Sequence, residues 1–328
     1  MIRKNIYIIS IVVVFGFCNQ LKAQDAHLSQ YDASPILLNP ALTGYTDNGD
    51  FRIGALYRTQ WGSISSSSFT STGITFDTKL NARWGVGAYA TNNDLAGFIN
   101  AFNFMISGSY QISDPLQNKY KILTGLQAGV LYKRIDQQEF IFDSQYSNGG
   151  FNEDIPSGEM FSKNNLVVPD FNWGVAYVHT DKESKIRPYV GASLFHINMP
   201  KESFTDASDS KLPIRWTFNG GSKFDVNPNL MIDVRSLFLL QRTAKEINFG
   251  ALAYYKLKDN DYTLVGGVDV RWNDAVIINA GIMHKNIIYR MSYDYNTSSL
   301  NNSSNGRGGT ELSIIYTPSK IRSAPSYN

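Results

Sequence analysis

The sequence predicts an all-β chain closed into an antiparallel transmembrane barrel of about fourteen strands, with a periplasmic arm ahead of the first strand. Three observations carry this. Blocks of alternating polar and apolar residues run from residue 51 almost to the end. Alternation is the period of a strand, whose successive side chains leave opposite faces. The blocks are joined by short connections at one end and longer ones at the other, as in outer-membrane barrels. A leader and a cysteine-free mature chain place the protein outside the cytoplasm.

Residues 287–295 show the alternation most clearly. Ile287, Tyr289, Met291, Tyr293 and Tyr295 share one face, and Ile288, Arg290, Ser292 and Asp294 share the other. A soluble sandwich would bury the first face and wet the second. A membrane barrel turns the apolar face to lipid and the charged face to the lumen.

The chain of 328 residues opens as a secretory signal. Arg3 and Lys4 are followed by an apolar stretch, 6–17, and by Leu21-Lys22-Ala23, which puts cleavage before Gln24. The stretch is shorter than the about 20 residues a membrane-spanning helix needs. A lipoprotein would use Cys18, but bulky Phe17 precedes it where such processing prefers a small residue. Cys18 is the sole cysteine. Its removal excludes disulfides, thiolate catalysis and cysteine zinc sites from the mature chain. Loss of 1–23 takes away Arg3, Lys4 and Lys22 and moves the net charge from +2 to −1. No clustered basic surface for nucleic acid is left. Mean hydropathy is slightly negative, −0.23, despite 19 Phe and 19 Tyr, because half of each barrel strand faces water.

Residues 24–50 form the arm. Pro35 and Pro40 discourage a long helix or a ladder strand, and Gly44 and Asp47-Asn48-Gly49 are turn chemistry. Gln30, Tyr31, Pro35, Asn39, Pro40 and Gly44 are its candidate contact residues. The arm is expected against the lumen floor or a periplasmic partner. The barrel follows over 51–317 and a tail over 318–328.

The predicted strands are 51–61, 69–79, 82–91, 101–113, 119–133, 169–180, 185–197, 213–225, 228–240, 245–257, 261–272, 274–283, 286–295 and 309–317. Most are long enough to cross a bilayer when tilted, which takes about 9–11 residues. Short periplasmic turns fall near Asn81, Asp114–Asn118, Asp181–Ser184, Asn227, Asp259–Asp261 and Lys285. The other end holds 62–68, 92–100, 134–168, 198–212, 241–244 and 296–308, with a tight link near Asn273. The alternation points Arg52, Arg58, Arg215, Lys223, Asp233, Arg235, Asp269, Arg271, Arg290, Asp294 and Glu311 into the lumen. Mixed signs suit a network of pairs that stiffens the barrel; a selective solute path favours one sign. Strand 185–197 alternates poorly, and its facing is open.

The chemistry-bearing types form no recognisable site. His27, His179, His196 and His284 make no helical metal pair, so no metal or other cofactor is expected. No Ser stands in a nucleophile elbow, and Gly85-x-Gly87 lies in a strand without the helix of a phosphate loop. No enzyme activity is expected.

The arm reads Gln24-Asp25, Ser29-Gln30-Tyr31, Pro35, Leu38-Asn39-Pro40-Ala41 and Gly44, followed by Tyr57-Arg58-Thr59-Gln60-Trp61. Later blocks are Pro169-Asp170-Phe171, Tyr189-Val190-Gly191-Ala192-Ser193, Asp274-Ala275-Val276, Tyr293-Asp294-Tyr295 and Gly309-Thr310-Glu311-Leu312. This pattern resembles the PorP/SprF family of type IX secretion membrane proteins over nearly the whole mature chain. The resemblance implies an outer-membrane barrel that holds an exported surface protein, such as a gliding adhesin, by its C-terminal sorting domain. It also implies partners among the periplasmic lipoprotein or ring components of the same machine.

Docking of the exported partner is expected on the longest loop. It carries Phe140, Phe142, Tyr146, Phe151 and Phe161, and 198–212 adds Met199 and Phe204 on the same side. Aromatics in a long loop argue for burial, either against a partner or inside the lumen as a plug. The rival readings are a porin-like solute channel, a barrel enzyme and a pair of soluble sandwiches.

Overall fold

The computed structural model describes residues 25, 27–47, 49–62, 67–117, 119–136, 143–147, 149–152, 155, 162–204, 210–258, 261–298 and 304–318. The strands are β1 (Phe51–Gln60), β2 (Phe69–Lys79), β3 (Trp84–Leu95), β4 (Ile99–Gln111) and β5 (Tyr120–Ile135). A two-stranded hairpin, β6 (Tyr146–Ser147) and β7 (Gly150–Phe151), interrupts the long loop. Then come β8 (Asn165–His179), β9 (Ile186–Phe195), β10 (Arg215–Asn227), β11 (Leu230–Gln241), β12 (Ala244–Lys256), β13 (Tyr262–Arg271), β14 (Ala275–His284), β15 (Ile287–Asn296) and β16 (Arg307–Tyr316).

All but the hairpin close into a single antiparallel barrel of fourteen strands, with β16 returning to pair with β1. A pair of sandwiches is ruled out. The barrel is an outer-membrane one, and no described helix is long and apolar enough to cross a membrane. The inner-end connections are 80–83, 112–119, 180–185, 228–229, 257–261 and 285–286; the outer end holds 136–164, 196–214 and 297–306.

Burial alternates as the sequence pattern does. In β1, Ile53, Ala55 and Tyr57 are exposed to the outside, while Arg52, Gly54, Leu56 and Arg58 are buried inside. Two aromatic girdles mark the interfaces. Trp84 packs on Tyr110 with ring centroids 4.8 Å apart at the inner end, and Trp61 on Phe69 at 4.8 Å at the outer end.

Three elements differ from expectation. The loop expected at 92–100 is a tight turn, because β3 and β4 run on to Leu95 and start at Ile99. Ala96 and Gly97 make the turn with φ of 55° and 87°. The strand expected from 169 begins at Asn165, and β5 reaches Ile135 beside it. The facing of β9 is now defined: Arg187, Tyr189, Gly191, Ser193 and Phe195 point inward. Its alternation is blurred by Pro188 and Gly191. Pro188 has no N–H for a ladder, and it falls just past Tyr189, where β8–β9 pairing stops.

Val268 is 49 % exposed on the lipid side, and its neighbour Asp269 is fully buried on the lumen side. A charge at a lipid-facing midplane position costs about 2–4 kcal/mol. Val268→Arg is therefore expected to lower the heat-modifiable, folded fraction strongly, while Asp269→Asn lowers it less. Equal folded fractions, or the reverse order, contradict this facing.

Candidate functional site

The arm enters from the inner mouth and is drawn up through the lumen. Tyr45 to Asp50 sit at the inner mouth, where Asp50 accepts Lys79 N–H. Asp25 lies at the outer end, donating its N–H to Gln241 Oε1 at 3.1 Å. The local sequence explains the path. Pro35 opens a one-turn helix, α1 (Pro35–Leu38), at the position where a missing N–H costs nothing. Asn39 ends it in an extended conformation and caps a 3-10 turn, Pro40–Leu42, by accepting Ala41 N–H at 2.9 Å.

The outer half of the arm is held by charge. Ser29 N–H donates to Glu311 Oε2 at 2.7 Å, and its hydroxyl donates to Asp294 Oδ1 at 2.7 Å. Arg58 reaches both carboxylates, Asp294 at 2.8 Å and Glu311 at 3.1 Å. Arg271 also pairs with Asp294, at 3.1 Å. Asp32 receives Arg290 through two hydrogen bonds of 2.7 Å and is flanked by Arg235. Arg235 in turn donates to Asp269 at 2.9 Å and covers the Tyr31 ring at 5.0 Å. Gln30 links Arg290, the Ser313 hydroxyl and the Glu311 carbonyl. Apart from the partly exposed Asp32, these side chains are buried, so each charge needs its partner: breaking a buried pair costs about 3–5 kcal/mol.

The inner half is held by shape. Ile36 is fully buried against Tyr89 and Met105, and Ala41 packs on Leu123 and Ala176. Four inward glycines let the arm backbone approach the wall. A Cβ at Gly85 would strike the Thr43 carbonyl, at Gly125 the Pro40 carbonyl, at Gly174 Asn39 Oδ1 and at Gly191 Asn39 Nδ2. The wall also reaches out to the arm. Gln127 donates to the Ile36 carbonyl at 2.8 Å, Ser109 to Thr43 at 2.6 Å and Ser193 to Leu38 at 3.0 Å. Gly44 has φ 68° and donates its N–H to Asp77, which also binds Arg52.

At the outer mouth His196, just past β9, joins two carboxylates. Its Nδ1 is 2.9 Å from Asp170 and its Nε2 is 2.8 Å from Asp25, which Arg215 also pairs at 3.0 Å. Burial pulls the imidazole pKa down, but the charge of Asp25 and the bonds to both carboxylates outweigh it and push the pKa up to about 9.

The arm residues Gln30, Tyr31, Asn39 and Pro40 are thus buried in the lumen, as are the charges Arg52, Arg58, Asp269, Arg271, Arg290 and Asp294. Arg215 is only partly buried, against Asp25. Of the loop residues, Tyr146 and Met199 are exposed at 57 % and 45 %. Phe204 is half-buried, with its carbonyl accepting Ser162 N–H, and the Phe151 backbone pairs with Tyr146. Phe140, Phe142 and Phe161 lie outside the described residues. The pattern reading missed Asp25, Ser29, Asp32, Asp170, His196 and the wall glycines as parts of the site. The glycines had a signal, since each takes an inward position of a strand that elsewhere carries a side chain.

Residues 20–316 match the model of a family described as type IX secretion system membrane protein PorP/SprF. No curated protein matches the sequence. Among solved structures, the Ralstonia pickettii toluene transporter TbuX is similar in fold, with a TM-score of 0.51 and 11 % identity over 88 % of this chain and 93 % of that one. The monoaromatic hydrocarbon channel CymD gives 0.50 and 10 % over 88 % and 92 %.

Two outcomes follow from this geometry. In a Cys18→Ser background, a Ser34→Cys reporter is expected to react slowly with a maleimide, and much faster when Gly125→Val is added. Equal rates would show that the cradle does not hold the arm. The His196 latch has a raised folded pKa, so its stabilisation is full below about 6.5, declines above that and is lost above about 9. Thermal stability is expected to fall from pH 7 to pH 10 more in the parent than in His196→Gln; parallel profiles remove the latch.

Proposed function

The chain belongs to the PorP/SprF family of type IX secretion system membrane proteins, and from that premise we propose that it is a closed outer-membrane anchor for an exported surface protein. The exported protein is bound through its C-terminal sorting domain, as a gliding adhesin would be, and the barrel links it to the periplasmic part of the secretion machine. The single observation that supports an anchor over a solute channel is the occupied lumen. The arm meets the wall on nearly every side, and Arg52, Arg58, Arg215, Arg235, Arg271 and Arg290 all have carboxylate partners. A channel lined this way would have to break those pairs to open. The fold shared with a toluene transporter and a hydrocarbon channel is compatible with either use, because a fold does not dictate function.

In this reading the outer loops receive the cargo. Tyr146 and Met199 stand exposed on that side, as aromatic and soft anchors of a docking surface do. Phe140, Phe142, Phe151, Phe161 and Phe204 belong to the same proposed surface.

The test combines retention and conductance. Replacing 140–161 with a short Gly-Ser linker is expected to release the exported protein from the cell surface while the purified barrel stays non-conducting in planar bilayers. Deleting 25–47 is expected to give an open, conducting barrel. Retained cargo in the loop variant removes the proposed docking surface, and a large conductance in the intact protein removes the closed anchor.

A further inference from the structure

The inner mouth of the lumen is lined by basic side chains. Arg52, Lys79, Lys121, Arg187, Lys223 and Lys256 occupy inward positions at the inner ends of β1, β2, β5, β9, β10 and β12. Three already have carboxylates: Arg52 has Asp77, Arg187 has Asp225, and Lys223 has Asp47 of the arm. Asp233, across from Lys223, is taken by the Tyr189 hydroxyl at 2.9 Å. Among the described residues, Lys79, Lys121 and Lys256 make no direct ion pair, although Asp47 lies near enough to Lys121 to act on its charge. The Lys79 ammonium donates only to the Thr46 carbonyl, at 3.3 Å. Lys121 stands over the Tyr45 ring at 5.9 Å. Lys256 borders an open cavity of about 700 Å³ that Asn229, Lys258, His284 and one carboxylate, Asp261, also line.

We propose that this inner mouth is a docking site for an acidic, extended segment of a periplasmic protein, its carboxylates received by Lys79, Lys121 and Lys256 as Asp47 is received by Lys223. The proposal rests on the anchoring function above and names the chemistry of its periplasmic link. The arm supplies the template, since Asp47 is itself a carboxylate of a chain seated in the ring. Lipid headgroups do not fit, because these side chains face the lumen and not the bilayer. One small anion does not reach all three. Lys79 and Lys121 both turn toward the arm at Thr46 and Tyr45, but β12 stands six strands round the barrel from β2. A chain with several carboxylates spans that distance.

The test uses the full mature protein in zwitterionic nanodiscs and a fluorescein-labelled hexaglutamate peptide, with hexaglutamine as control. Wild type is expected to bind hexaglutamate alone, with steep salt dependence. The triple variant K79E/K121E/K256E is expected to bind at least about tenfold more weakly, and the milder K79Q/K121Q/K256Q to fall between. Heat-modifiable mobility checks that each variant is folded. Lys201→Glu at the outer mouth is expected to bind as wild type does. Absence of hexaglutamate binding by wild type, unchanged binding by the folded triple variants, or full displacement by inorganic phosphate overturns the proposal. Failure here with cargo still released by the loop replacement leaves the anchoring function standing and removes only this site.

Discussion

A charge removed from water must find an opposite charge, and this barrel is organised around that requirement. Fourteen strands enclose a space too wide for wall side chains alone to fill and pair across. Arg58, Arg235, Arg271 and Arg290 project into it and are almost fully buried. The wall supplies Asp269, Asp294 and Glu311, and the arm supplies Asp25, Asp32 and the Ser29 hydroxyl. Arm and wall are two halves of one network, and neither half is neutralised by itself. Opposed signs inside the barrel therefore satisfy one another in a packed lumen.

The arm joins two kinds of attachment with different physical character. From Ile36 to Thr43 it lies on glycines, where contact is close, uncharged and insensitive to salt. From Asp25 to Asp32 it is held by ion pairs whose strength depends on burial and protonation. A barrel filled this way resists deformation, because interior packing has little compressibility. That property suits the anchoring role proposed above.

The barrel was legible because its evidence is local. Period-two alternation in 261–272 or 287–295 fixes each facing, and loop sorting follows from one fold rule. The arm was legible only as an anomaly. It has no period, and its partners are set by the register of distant strands: Asp25 meets residues 171 and 190 positions away. His196 looked like a strand-end histidine for the same reason. Strand β9 was unreadable because Pro188 and Gly191 answer to the end of a ladder and to Asn39, not to the lipid-versus-lumen rule.

The position of Ser29 and Gln30 has a further consequence, for assembly. These two residues bond Glu311 of β16, and Ser29 also bonds Arg58 of β1, which faces Glu311 directly across the joint between first and last strands. The joint is the one place where the two ends of the strand series meet, and the arm touches both edges of it. Sealing the lumen and joining the cylinder therefore draw on the same side chains.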